Sequence, residues 1–104
     1  MRLVVSGLLG FAWDAASWRK SELKHGVAIV EAEEVLLNDP VCQVDVRHSG
    51  SEQRYVGLGI TNEGRPLFVA FTIRRNRVRV ISARPMSRRE RAIHDEAKET
   101  RERR

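Results

Sequence analysis

Cys42 is the only cysteine in the chain. No internal disulfide can form, and a cytosolic home fits a lone thiol best. Apolar runs are short, and none reaches the roughly 20 residues that cross a bilayer, so no membrane partner is expected. The opening MRLVVSGLLGFAWDA sets one arginine before an apolar run of about ten residues, the outline of a short signal peptide. It passes straight into Trp13-Asp14 with no small-x-small cleavage site, and secretion is the weaker reading. Phosphate-binding glycine loops, dinucleotide fingerprints and zinc-like Cys/His spacings are all missing. His25, His48, His94 and Cys42 share no local ligand pattern, so neither a metal nor a cofactor is expected. There is no internal repeat and no linker. The 104 residues therefore read as one domain, 1–104, with a single modest core.

Charge is what the chain has in quantity, and it is segregated. The formal net charge of +5 favours an anionic partner without identifying one. Residues 28–53 carry Glu31, Glu33, Glu34, Asp39, Asp45 and Glu52 against Arg47 alone. Residues 74–91 carry Arg74, Arg75, Arg77, Arg79, Arg84, Arg88, Arg89 and Arg91 against Glu90 alone, with no lysine. Guanidinium forks bind phosphate through two bonds and stack on bases, which ammonium groups cannot do. A basic face kept for solubility or for an acidic protein fits the same composition.

Periodicity orders the chain. Residues 3–13 read as a short strand or extended lead-in. Asp14 is placed to cap a helix that runs to about Lys24, with Gly26 as its left-handed end. A second helix spans about 28–37, with Ile29, Ala32, Val35 and Leu36 on one face and Glu31 and Glu34 turned away to solvent. Asn38-Asp39-Pro40 ends it, because the residue before proline is steered out of the helical region. Alternation then takes over. Val41 to Val46 is a half-buried strand and residues 48–51 are a turn. Arg54 to Ile60 is a strand with Gly57 and Gly59 on one face, which suits the close approach of a helix or of other backbone rather than a phosphate. Leu67, Val69, Phe71 and Ile73 line the inner face of the next strand. Arg75-Asn76 suits a two-residue hairpin turn, and Arg77 to Ala83 pairs back. Ser87 and Glu90 form a capping box for a last helix, whose polar end, 98–104, is expected to fray. The order β-α-α-β-β-β-β-α gives a small α+β sandwich, an antiparallel sheet of about four to five strands with two N-terminal helices and one C-terminal helix.

Cutting RNA through its 2′-hydroxyl needs a base for the hydroxyl proton, cations for the charge growing on the phosphorane, and an acid for the leaving 5′-oxygen. His25 suits either proton role, since a free imidazole titrates near pH 6.5. Lys24, Arg54, Arg79 and Arg84 are candidate clamps for the phosphate. On residues alone, Lys24-His25-Gly26 is equally a cationic helix terminus, which suits the negative end of the helix dipole. Trp13 and Trp18 read as core anchors.

Five segments then stand in a telling order: FAWD (11–14), LKHGV (23–27), EAEEVLLNDP (31–40), EQRYVGLG (52–59) and RVISARPMSRRERAIHDE (79–96). Together they resemble the BrnT family, the toxin halves of bacterial type II toxin–antitoxin modules, over about residues 10–97. The resemblance implies a RelE-like fold, RNA cleavage that halts translation, and neutralisation by a BrnA-type antitoxin. That antitoxin would carry a ribbon-helix-helix region, through which the complex binds operator DNA. Carried over by motif, the catalytic candidates are His25, Lys24, Arg54 and Arg84, with Arg88 and Arg89 binding RNA. Arg77 and Arg79, which alternate with valines on one strand face, line a phosphate-binding groove for RNA or, equally, an antitoxin surface. The expected enzyme is a metal-independent endoribonuclease. A catalytically inactive relative, or a basic nucleic-acid-binding module acting as co-repressor, is the alternative. The chain departs from the family pattern at Ser17 (usually Lys), Ser21 (usually Asn), Ala28 (usually the Ser that caps the second helix) and His94 (often an aromatic residue).

Overall fold

The computed structural model describes residues 10–102. Its strands are β1 (Gly10–Trp13), β2 (Val41–Val44), β3 (Arg54–Ile60), β4 (Pro66–Arg74) and β5 (Arg77–Pro85). Its helices are α1 (Ala15–His25), α2 (Ile29–Leu37) and α3 (Arg88–Glu102), with a single 3₁₀ turn at Val46–His48. The strands form one sheet in the order β1-β5-β4-β3-β2, the α+β arrangement that the periodicity predicts. β1 joins by a parallel pairing to β5, and the other pairs are antiparallel. The extended lead-in expected over residues 3–13 is a strand from Gly10 onward, and its earlier part lies outside the described residues.

Each helix boundary has a local cause. Asp14 Oδ1 accepts the Ala16 and Ser17 N–H groups at 3.1 and 3.2 Å, which opens α1. Gly26 closes it at φ 66°, donating its N–H to the Glu22 carbonyl. α2 lacks a side-chain acceptor at Ala28, but Glu31 reaches back to accept the Ala28 N–H at 3.0 Å. Half a capping box is therefore present. Ser87 and Glu90 supply both halves at α3, bonded at 3.2 and 2.8 Å.

α1 and α2 pack on one face of the sheet. Leu67, Val69 and Phe71 of β4 are fully buried there, joined by Val78 and Val80 of β5, and the helices contribute Trp18, Ala32, Val35 and Leu36. A Cβ at Gly59 would stand 2.9 Å from Val35 Cγ1, and one at Gly57 would stand 3.1 Å from Leu36 Cδ2. These glycines let α2 approach β3. Val56 and Leu58 alternate with them, so they face the opposite side, and both are buried. α3 is the helix that packs on β2 and β3 at that side. His94 is the only α3 side chain among the described residues that is buried. α3 is held mainly by polar contacts at its ends. Lys98 and Arg101 donate to the Asp39 carbonyl, and both lie near the Asp39 carboxylate at 3.5 and 3.4 Å. The polar stretch from residue 98, expected to fray, is helical through Glu102.

Four expectations need correction. Ile73 lies on the inner face but beyond helix cover, 37% exposed. Ile29 is likewise largely outside the core, which the face of α2 formed by Ala32, Val35 and Leu36 fills. β2 stops at Val44, and Val46 is exposed in the 3₁₀ turn that follows. Glu31 is not turned to solvent: besides its capping bond, both its oxygens accept from Arg65 Nη1 at 3.1 Å.

Candidate functional site

The face of the sheet away from α1 and α2 carries a basic row. Arg54 of β3, Thr72 of β4 and Arg79 of β5 are direct cross-strand partners, and Ala12 of β1 follows Arg79. Adjacent strands lie about 4.8 Å apart, so the two arginine backbones flank Thr72 with about 10 Å between them. Alternation along β5 sets Arg77 on the same face, opposite Arg74. An open groove of ≈ 350 Å³ is lined by Ala12, Arg74, Arg75, Arg77 and Arg79. Arg75 and Asn76 make the hairpin turn at its rim, with φ 52° and 62°, the double left-handed geometry of a type I′ turn.

The cations of this face differ in how far they are already neutralised. Arg74 is engaged by Glu52 through two bonds of 2.8 Å. Arg74 holds the Glu52 carboxyl below its usual range, with a smaller contribution from Arg79, and the Arg74 guanidinium is pushed up in turn. Arg79 lies 3.6 Å from the second carboxylate oxygen of Asp14, the α1 cap. Arg54, Arg75 and Arg77 make no side-chain hydrogen bond or ion pair to another described residue. Among the described residues of this face, these are the guanidinium forks without a carboxylate partner.

Arg84 stands further along β5, opposite Phe68. Nη1 and Nη2 donate to the two Glu90 oxygens at 2.8 Å each, and Nη1 also donates to the Pro85 carbonyl at 3.1 Å. The guanidinium carbon sits 4.0 Å above the Phe68 ring centroid. The Arg84 fork holds the Glu90 carboxyl below the ordinary glutamate range and is itself pushed up. Arg88 and Arg89, on the first turn of α3, are exposed and make no ion pair with a described residue.

Lys24 and His25 occupy the last turn of α1, Lys24 exposed and His25 half-buried. Arg65, which sequence reasoning passed over, fastens this corner by donating to the Gly26 carbonyl at 2.9 Å while it pairs with Glu31. The direction of α1 follows from two contacts. Its cap Asp14 lies at Arg79, and the Ser21 hydroxyl bonds to the Ala83 backbone at 3.3 and 3.4 Å. His25 is one turn beyond Ser21. At 1.5 Å per residue it lies about 17 Å along the helix from Asp14, on the helix-covered side of the sheet. The structure therefore brings Arg54, Arg79 and Arg77 together as one station and sets Lys24-His25 apart as another. Arg84 lies between the two levels along β5, tied to Glu90. A single phosphate does not touch all of them.

Thr72 and the pairing of Asp14 with Arg79 also escaped the sequence reading. Aspartate at a helix start signals a cap, and its pairing with Arg79 rests on the parallel β1–β5 contact, which no local pattern announces. Among the described residues, no three His, Cys, Asp or Glu side chains gather as metal ligands, and no helix is long and apolar enough to cross a membrane.

Comparison with known proteins bears on this geometry. The family model described as "Ribonuclease toxin, BrnT, of type II toxin-antitoxin system" matches residues 13–90. The crystal structure of the Brucella abortus ribonuclease toxin BrnT is similar in fold, with a TM-score of 0.56 at 22% identity. The similarity covers 76% of this chain and 97% of that one. No curated protein matches the sequence.

Proposed function

The chain belongs to the BrnT family of ribonuclease toxins of type II toxin–antitoxin systems, and from that premise we propose that it is a metal-independent endoribonuclease that cuts RNA in the cytoplasm and halts translation. The observation that carries this reading is the Arg54–Thr72–Arg79 row with Arg77 beside it: Arg77 is exposed, Arg54 and Arg79 are half-buried, and Thr72 is buried between the two arginines. Guanidinium groups so spaced hold the backbone of a single strand without reading its sequence.

In the reaction the 2′-oxygen attacks the adjacent phosphorus while a base takes its proton. The P–O5′ bond then breaks, and an acid protonates the departing 5′-oxygen. A 2′,3′-cyclic phosphate and a 5′-hydroxyl remain. His25 is the group for one of the two proton transfers, mounted rigidly on the helix end that Gly26 and Arg65 fix. Lys24, beside it, offsets the charge on the phosphorane. Arg54, Arg79 and Arg77 anchor a neighbouring phosphate, and Arg88 and Arg89 extend the basic path. Positioning through flanking contacts contributes to rate as well as to affinity.

Membership of a type II family implies an antitoxin partner. We take it to be BrnA-type, with a ribbon-helix-helix region that brings the complex to operator DNA. A second reading, an inactive relative that serves only as co-repressor, is favoured by one observation. Arg79 and Arg84 are both paired with carboxylates, at 3.6 and 2.8 Å. The two readings separate when purified protein is incubated with RNA in excess EDTA. New 3′ ends carrying cyclic phosphate support the enzyme, and their appearance only with added divalent metal contradicts metal independence. Intact RNA under both conditions favours the co-repressor.

A further inference from the structure

We propose that Arg84 is a stacking platform for a nucleobase rather than a phosphate ligand, an inference that rests on the RNA-binding reading above. A phosphate ligand needs free donors and uncompensated charge. Arg84 keeps two of its five N–H donors and has its charge paired, because Glu90 takes one N–H from each terminal nitrogen at 2.8 Å and the Pro85 carbonyl takes another at 3.1 Å. An incoming phosphate would also meet the Glu90 carboxylate. The same contacts prepare the group for a different task. Two parallel bonds fix the guanidinium plane, and the Phe68 ring, 4.0 Å away, covers one side. The side chain remains 37% exposed, and a flat ligand would take the side of the plane away from Phe68. Arginine planes and aromatic rings are the surfaces on which unpaired RNA bases stack.

Its place on the sheet specifies the ligand further. Arg84 lies five residues along β5 from Arg79, with a register irregularity between, or about 13–16 Å at strand rise. The stacked base therefore belongs to a different nucleotide from the phosphate held at Arg79. The substrate class is single-stranded RNA engaged over several nucleotides, since a base within a duplex offers no free face.

The test measures binding of the full chain to an uncleavable 2′-O-methyl RNA decamer, and to decamers with one abasic residue at each position in turn, across a KCl series. Base stacking predicts about a tenfold loss for one abasic position, with the slope of log K against log[KCl] unchanged. Arg84→Lys, which keeps the charge and removes the plane, should weaken the intact decamer similarly and abolish the penalty of that abasic site. Arg79→Ala should instead lower the slope by about 1. If no abasic position matters, or if Arg84→Lys binds the intact decamer as tightly as the unaltered protein, a point charge suffices at this position and the proposal fails. The abasic scan on the unaltered protein still overturns the proposal, when no position matters, even where Arg84→Lys disturbs α3. Absence of salt-sensitive binding to any decamer overturns the RNA reading itself, and the platform with it.

Discussion

Asp14 does two jobs with its two oxygens. One caps α1 and the other faces Arg79. Asp14→Ala should cost about 1 kcal/mol of stability in urea denaturation, while Asp14→Asn retains most of the cap and should cost only a few tenths. Equal losses would mean that the ion pair, not the cap, carries the effect. Glu90 makes a similar double contribution, to the α3 cap and to Arg84. Its carboxyl is held below the ordinary value by Arg84, so the sign is fixed. The stabilisation is complete above the unfolded glutamate value of about 4.3, and it disappears as pH falls through the lower folded value. Because Arg84 is more than a third exposed, the pair is worth at most about 1 kcal/mol. Glu90→Gln should lower the melting temperature at pH 7 and flatten its decline below about pH 4.5; an unchanged acid profile would count against the linkage. Caps were legible in the sequence because their partners lie two or three residues away. The pairings of Asp14 with Arg79, Glu31 with Arg65 and Arg74 with Glu52 were not, since they join segments that only the sheet brings together.

β3 and α2 show what close packing demands. Gly59→Ala places a methyl 2.9 Å from Val35 Cγ1 and 3.2 Å from the Val35 carbonyl. It should destabilise by roughly 1–3 kcal/mol in chemical denaturation, more than Gly57→Ala, whose nearest neighbour is the movable end of Leu36. A neutral Gly59→Ala would mean that α2 does not seat on β3 as described. The opposite sign is expected at Ala28, where the backbone already has cap geometry at φ −78° and ψ 155° but no acceptor. Ala28→Ser completes the box with Glu31 and should raise stability by about 1 kcal/mol, read as a higher denaturation midpoint with unchanged slope. Alternation and turn residues made β3, β4, β5 and the Arg75-Asn76 hairpin legible. The parallel direction of β1 was not, because a four-residue strand pairs either way by pattern alone. Ile73 and Val46 misled because a β-branched residue marks strand geometry and says nothing of whether a helix covers it. α3 misled in the other direction: its end looked too polar to pack, yet Lys98 and Arg101 dock on the carbonyls and carboxylate of the α2–β2 corner.

Across the molecule, the arginine-only stretch of the sequence folds into the β4–β5 hairpin, the far end of β5 and the first turn of α3, while much of the acidic stretch lies on α2 and around β2. That division lets one sheet face attract a polyanion while the total charge stays modest. Composition showed that such a face exists. It did not show that Arg79 and Arg84 are partly neutralised, or that Lys24-His25 stands about 17 Å along α1 from the cap that meets Arg79. Those distances depend on α1 running alongside β5, which the Ser21 bond to Ala83 fixes. The fold thus sets the Arg54, Arg77 and Arg79 group apart from Lys24-His25, and under the proposed function an RNA strand must reach both. The decisive experiment is inducible expression of the wild type and of His25→Ala at equal soluble levels, with growth followed and new RNA 5′ ends mapped. Growth arrest with fresh 5′-hydroxyl ends in the wild type, and neither in His25→Ala, is the predicted result. If His25→Ala cuts as well as the wild type, or if neither produces new ends, the Lys24-His25 corner is a helix terminus and proton transfer does not occur there.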